Sequence, residues 1–175
     1  MGRVIAFVGG ARSGKSRLAL ERAWSFGDAV AFVATLDLTD PNCDNEMRER
    51  VEHHRRARPA SWRTVLAPRD LAGAIRGLED VRCCLVDCLT LWVSNLLCAG
   101  SDQEAILGAF DRVLEAARGS GAEVVFVSNE VGCGIVPENA LARAFRDVAG
   151  LVNQSLVRAA DEAYWVVAGK AISIA

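Results

Sequence analysis

Nothing in this 175-residue sequence approaches the ~20 consecutive apolar residues that would span a bilayer. The apolar run nearest the N-terminus, Val4 to Val8, is too short for the core of a signal peptide and reads as an opening strand. A basic excess is also missing: the formal net charge is −2, which argues against a protein built to coat nucleic acid. No C-x-x-C pair occurs among the six cysteines, so neither a zinc site nor a redox motif is indicated. Cys83, Cys84 and Cys88 fall in or just after an apolar run, while Cys43, Cys98 and Cys133 are scattered. Reduced, mostly buried thiols in a soluble, cytoplasmic protein are expected. Internal repeats, low-complexity segments and a dividing linker are absent, and 175 residues suit one domain better than two.

What is present is a globular composition, 51% apolar and 24% charged. Short valine-rich runs recur at Val4–Val8, Ala29–Ala34, Cys83–Val86, Val124–Val127 and Tyr164–Ala168, with amphipathic stretches between most of them. That alternation predicts an α/β fold: a doubly wound, mostly parallel sheet with helices on both faces. The first helix begins at the end of the Gly9–Ser16 loop, carries Leu18, Ala19, Ala23 and Trp24, and stops near Gly27. A charged second one runs from about Asp44 to Arg58, and a third from Pro68 to about Leu78. Another is expected to begin near Cys88, and a longer one spans Asp102 to Arg118 with Ile106, Phe110, Val113 and Leu114 inward. After Pro137, the steps Leu141, Phe145, Val148, Val152 and Leu156 mark the clearest amphipathic helix, with these residues on its apolar face.

The residues from Gly9 to Ser16, GGARSGKS, match G-x-x-x-x-G-K-[ST] with Gly9, Gly14, Lys15 and Ser16 in the fixed places. The match lies between an apolar strand and a helix, the context a phosphate cradle requires. Amides of Gly10, Ala11, Arg12, Ser13 and Gly14, with the helix N-terminus, point positive dipoles at the phosphates of a nucleoside triphosphate. Lys15 reaches the β and γ phosphates, and the Ser16 hydroxyl can ligate Mg2+. An ordinary glycine-rich turn would not need lysine and serine there.

Asp87 follows the run Cys83-Cys84-Leu85-Val86, which places it at the carboxyl edge of the sheet near the loop, as an acid that can be the second, often indirect, metal ligand. Its other reading is an N-cap for the helix that follows. Asn129 and Glu130 end another strand, where they either sense the nucleotide or acceptor or close a turn. The only histidines are His53 and His54. His54 lies in line with Met47 and Val51 near the apolar face, while His53 is turned toward Glu49, Arg50 and Arg56. His53 is either a solvated surface residue or a nucleophile toward phosphorus, with the arginines stabilising developing charge. Spacing leaves both open.

Several strings together resemble one family, the bifunctional adenosylcobinamide kinase/adenosylcobinamide-phosphate guanylyltransferases of cobalamin biosynthesis. They are GGARSGKS at Gly9 to Ser16, Ala34-Thr35, RVEHHRRARP at Arg50 to Pro59 followed by Trp62-Arg63-Thr64, TLWVSNLL at Thr90 to Leu97, SNEVGCGIVP at Ser128 to Pro137, and LARAFRDVAGLVNQ at Leu141 to Gln154. The resemblance covers nearly the whole chain. It implies a P-loop NTPase-type fold and two reactions: phosphorylation of adenosylcobinamide by ATP or GTP, then transfer of GMP from GTP through a guanylyl-histidine. Carried over by motif, the guanylylated residue is His53. The nucleotide is expected against Ala34, Thr35 and Leu36, against His54, Arg55, Arg56 and Ala57, and at Asp87. The family often has glutamate where Asp87 stands, and again just after W-R-T, where this chain reads Val65-Leu66-Ala67. A homotrimer is implied by resemblance alone. Two other readings compete: a small-molecule P-loop kinase without guanylyl transfer, and a recombinase-like P-loop ATPase module that binds nucleic acid or protein.

Overall fold

The computed structural model describes residues 1–36, 55–56 and 58–175. Its strands are β1 (Arg3–Gly9), β2 (Val30–Ala34), β3 (Arg63–Leu66), β4 (Cys83–Asp87), β5 (Glu123–Asn129), β6 (Glu162–Val167) and β7 (Lys170–Ser173). Among the described residues the helices are α1 (Lys15–Trp24), α2 (Leu71–Arg76), α3 (Leu89–Cys98), α4 (Gln103–Gly119) and α5 (Ala140–Ala159). One sheet holds all seven strands in the order β3-β2-β4-β5-β1-β6-β7. Every pairing is parallel except β6 with β7. The expected doubly wound, mostly parallel sheet is therefore the observed one.

Successive side chains of a strand point to opposite faces, and each central strand here is apolar on both. From β1, Val4, Ala6 and Val8 enter one core with Cys84 and Val86 of β4 and Val124 and Phe126 of β5. Helices α2 to α5 cover that face, and Trp92, Phe110 and Phe126 meet there at ring separations of 6.1 and 6.4 Å. Ile5 and Phe7 enter the other core with Phe32, Leu85 and Val127, beneath Ala19, Leu20 and Ala23 of α1 and beside Trp62. Each fully buried large apolar side chain contributes roughly 1.5–3 kcal/mol, so the two faces hold the sheet from both sides.

Helix starts follow side-chain chemistry. Asp70, Asp102 and Asn139 each accept from the backbone N–H three residues on, capping α2, α4 and α5. The third expected helix, Pro68 to Leu78, is shorter than its apolar spacing suggested, because the Asp70 cap fixes its start at Leu71. Leu141 was expected on the apolar face of α5 but stands 54% exposed, ahead of the point where that helix meets the sheet. Strands β3 and β7 had no recognisable apolar run: β7 is exposed throughout and β3 buries little, as sheet-edge strands can. Cys83, Cys84 and Cys88 are buried free thiols, whereas Cys98 and Cys133 are exposed. Burial pushes the Cys83 thiol up to about 12 and that of Cys88 up to about 11. Among the described residues no helix is long and apolar enough to cross a membrane.

Candidate functional site

Parallel pairing lines up the carboxyl ends of the strands. Ala34 is level with Leu66 on one side and Asp87 on the other, Asp87 with Val127, and Gly9 with Asn129 and Val166. Every candidate phosphate, metal and loop residue on these strands therefore emerges on one edge of the sheet, where open α/β sheets hold ligands.

The loop from Gly10 to Gly14 leaves β1 at that edge and enters α1. Gly14 has φ 99°, a conformation that favours glycine, and it hands the chain to the helix. At Gly9 a Cβ would lie 2.3 Å from the Val166 carbonyl oxygen and 2.9 Å from Ser13 Oγ, so only glycine fits. The Ser13 amide donates to the Gly10 carbonyl at 3.3 Å. Ser13 Oγ is buried and has no hydrogen-bond partner, an orphaned group inside the cradle that a phosphate oxygen would satisfy. Ala11 and Arg12 are exposed.

Lys15 is only 8% exposed, and its Nζ donates to the Gly10 carbonyl at 3.1 Å. Burial pulls its ammonium below the ordinary lysine value, while the charges of a Cys88 thiolate and of Asp87 oppose that shift. Cys88 is a neutral thiol near pH 7, so the opposing charge there is that of Asp87. An ammonium held in a desolvated place beside a carboxylate is poised for a polyanion.

Asp87 is half-buried at the end of β4, one strand removed from β1. The cap position of α3 belongs to Cys88, whose side chain makes no capping bond, so the N-cap reading of Asp87 is not realised. Half-buried Ser16 is the second residue of α1. A hydroxyl and a carboxylate are hard oxygen donors that suit Mg2+, and two protein oxygens leave room for phosphate oxygens and water. Among the described residues no group of three or more His, Cys, Asp or Glu could hold a metal alone. The donor set fits a metal that arrives with a triphosphate.

Thr35 is fully buried, and its hydroxyl accepts from the Cys88 amide at 2.9 Å and donates to the Cys88 carbonyl at 2.7 Å. It ties the end of β2 to the turn after Asp87; half-buried Ala34 and Leu36 flank it. Arg55 and Arg56 are helical and exposed. His53, His54 and Ala57 lie outside the described residues.

Two features went unnoticed in the sequence. The β6–β7 turn closes on the phosphate loop: the Gly169 amide donates to the Ser13 carbonyl at 2.8 Å, and Arg17 Nη2 donates to the Gly169 carbonyl at 3.1 Å. Its only signal was Ala168-Gly169 ahead of Lys170, both residues having positive φ. The second is Arg58, stacked on Phe32 with its guanidinium 3.8 Å from the ring centroid. Burial and the charge of Arg55 pull its pKa down, and the charge of Asp87 opposes them, which places Arg58 near Asp87.

The end of β5 is pinned beside the cradle. The Glu130 amide donates to the Gly9 carbonyl at 3.0 Å, and Asn129 Nδ2 donates to Thr90 Oγ1 at 3.0 Å. Glu130 also accepts from the Gly132 amide and so closes the turn.

A glycine-rich loop between a buried strand and a helix, a buried lysine at the helix start and an acid at the edge of a parallel sheet define the P-loop NTPase class of fold. A RadB recombinase crystal structure shares that fold, with a TM-score of 0.52 and 16% identity over 94% of this chain and 74% of that one. Residues 5–174 match the family described as cobinamide kinase / cobinamide phosphate guanyltransferase, and the chain belongs to it. Similar proteins include the bifunctional adenosylcobalamin biosynthesis protein CobP of Pseudomonas aeruginosa, 42% identical over 93% of this chain and 91% of that protein. Those named CobU from Salmonella typhimurium and Escherichia coli are 42% and 41% identical, each over 98% of this chain and 99% of the relative.

Proposed function

We propose that this chain phosphorylates adenosylcobinamide with ATP or GTP and then guanylylates the product, in the cytoplasm, in cobalamin biosynthesis. The observation that carries this reading is the phosphate cradle with buried Lys15 facing the Asp87 edge, in a chain of the cobinamide kinase / cobinamide phosphate guanyltransferase family.

In the first reaction the aminopropanol hydroxyl oxygen bonds to the γ-phosphorus, the bond from that phosphorus to the β–γ bridging oxygen breaks, and the hydroxyl proton is released. Lys15 and the amides from Gly10 to Gly14 hold the phosphates in place and take up charge that develops on them. Ser16 and Asp87 would hold Mg2+, which when bound would neutralise phosphate charge. In the second, a His53 ring nitrogen bonds to the α-phosphorus of GTP and pyrophosphate leaves. A phosphate oxygen of adenosylcobinamide phosphate then takes the GMP, breaking the N–P bond and giving adenosylcobinamide-GDP. Ala34, Thr35, Leu36, His54, Arg55, Arg56 and Ala57 complete the nucleotide surround, and three copies of the chain form the working assembly. Likeness to a recombinase extends to the fold alone, so it lends no support to a nucleic-acid module.

The test is incubation with GTP labelled at the α-phosphate. Label that stays on denatured protein, resists alkali and is released by acid is expected. Folded wild-type protein that never takes up label refutes guanylyl transfer. Light scattering that returns a monomer or dimer refutes the trimer.

A further inference from the structure

Outside the cradle, α5 and the turn after β5 enclose an open groove of about 340 Å³, lined by Gly132, Arg146, Asp147, Gly150, Leu151 and Gln154. The helical positions step by three and four, so they form one stripe of α5. The opposite stripe is buried in the core through Val148, Val152 and Leu156. Asn153 fixes the helix to the end of β5: its Oδ1 accepts from Ser128 Oγ at 2.6 Å and its Nδ2 donates to the Asn129 carbonyl at 3.0 Å. Asn129 is level with Gly9, so α5 is tied to the strand next to the one that leads into the phosphate loop.

Two observations mark it as a ligand site. Arg146 Nη2 donates to the Gly132 carbonyl at 2.9 Å, but Nη1 is buried with no partner. A desolvated guanidinium N–H without an acceptor is costly, and an oxygen arriving in the groove would satisfy it. Gly150 sits inside a 20-residue helix, where glycine is unfavourable, yet a Cβ there would meet nothing within 4 Å. No internal contact requires that glycine, and it leaves the groove open at that point.

The lining selects the chemistry. A phosphate would meet Arg146 but also the Asp147 carboxylate. A primary carboxamide offers a carbonyl to the first and an N–H to the second. Leu151 and the open Gly150 take hydrocarbon. Beyond Gly132 the turn exposes Ile135 at 97% and Val136 at 62%, more apolar surface than a single base needs. We propose that this groove holds a carboxamide on the rim of the corrinoid acceptor, its carbonyl on Arg146 Nη1 and its N–H on Asp147. The inference rests on the reading of adenosylcobinamide as acceptor.

Gly150→Leu fills the groove with a residue that favours helix. Its KM for adenosylcobinamide is expected to rise about ten-fold or more, while its KM for GTP and its labelling from α-labelled GTP stay within about two-fold. Arg146→Lys, a point charge too short to serve both oxygens, is expected to act in the same direction. Asp147→Asn is expected to narrow the preference for the amide over a corrinoid with one side-chain amide hydrolysed to carboxylate. An unchanged corrinoid KM in Gly150→Leu, with active wild type, overturns the groove alone. So does a raised KM for GTP, which makes it a base pocket, or a changed assembly mass, which makes it a subunit contact. Wild type that turns over no adenosylcobinamide overturns the assigned function and the groove with it.

Discussion

Replacing Lys15 with methionine keeps most of its volume and removes a buried charge, so binding and stability should part company. Lys15 is 8% exposed, spends one N–H on the Gly10 carbonyl at 3.1 Å and has its pKa lowered chiefly by burial. In the absence of nucleotide that charge is a cost, and it becomes an asset only when phosphate arrives. Loss of one preorganised donor to developing charge costs about 2.7–4 kcal/mol, or about 10²–10³ in rate. With γ-labelled ATP and adenosylcobinamide, kcat/KM of Lys15→Met is expected to fall by about that factor. Unfolding by urea without nucleotide should give a free energy no lower than that of wild type. A lysine whose folded pKa is depressed binds fewer protons folded than unfolded between that value and its ordinary 10.5. Wild-type stability therefore gains with rising pH across that window, and Lys15→Met should lack that gain. A variant within about three-fold of wild-type kcat/KM would refute the phosphate role. One that is active but clearly less stable would refute the claim that the buried ammonium is unfavourable in the empty site.

His53→Ala should take up no acid-labile guanylyl label yet keep the kinase reaction within about five-fold; label at the wild-type level would remove His53 as nucleophile. Gly9→Ala puts a Cβ 2.3 Å from the Val166 carbonyl oxygen, so a loss of about 1–3 kcal/mol by urea unfolding and at least about ten-fold weaker nucleotide binding are expected. Unchanged binding would mean that the cradle tolerates that displacement. Glu123 is 7% exposed and accepts from Arg22 Nε at 2.7 Å and Nη2 at 2.9 Å. Arg22→Met should cost about 2–3 kcal/mol, below the ~3–5 of a fully buried pair because Arg22 keeps 30% of its side chain exposed. A cost under about 0.5 kcal/mol would place the pair with ordinary surface bridges. Asp161 is held below its usual pKa by the Val4 amide and by Arg118, and Glu162 by Tyr164, then by Arg22 and Arg3. Both contribute stability that is present above the ordinary carboxylate values and is lost as pH falls through the lowered ones. Asp161→Asn with Glu162→Gln should flatten the acid limb of stability against pH, and an unchanged slope would refute the assignment.

The sequence by itself determined the class of fold and the phosphate loop, because both are written locally. Valine-rich runs report strands buried on both faces, and Gly9, Gly14, Lys15 and Ser16 are each required by backbone or phosphate geometry within a few residues of one another. Edge strands were illegible for the opposite reason. Lys170–Ser173 buries nothing, and Arg63–Leu66 little, so neither leaves a periodic trace. Register decided the rest. Parallel pairing of β2, β4, β5 and β1 brings Ala34, Asp87, Asn129 and Gly9 to one edge, although 53 residues separate the paired Ala34 and Asp87 along the chain and 120 the paired Gly9 and Asn129. Spacing could not choose between a metal acid and a helix cap for Asp87; the turn itself gave the cap to Cys88 and turned Thr35 onto it. The closing of Gly169 on Ser13, the stacking of Arg58 on Phe32 and the unpaired Arg146 nitrogen are likewise tertiary facts. Each joins residues distant in sequence whose meeting depends on how helices and turns pack over a finished sheet, which no local pattern encodes.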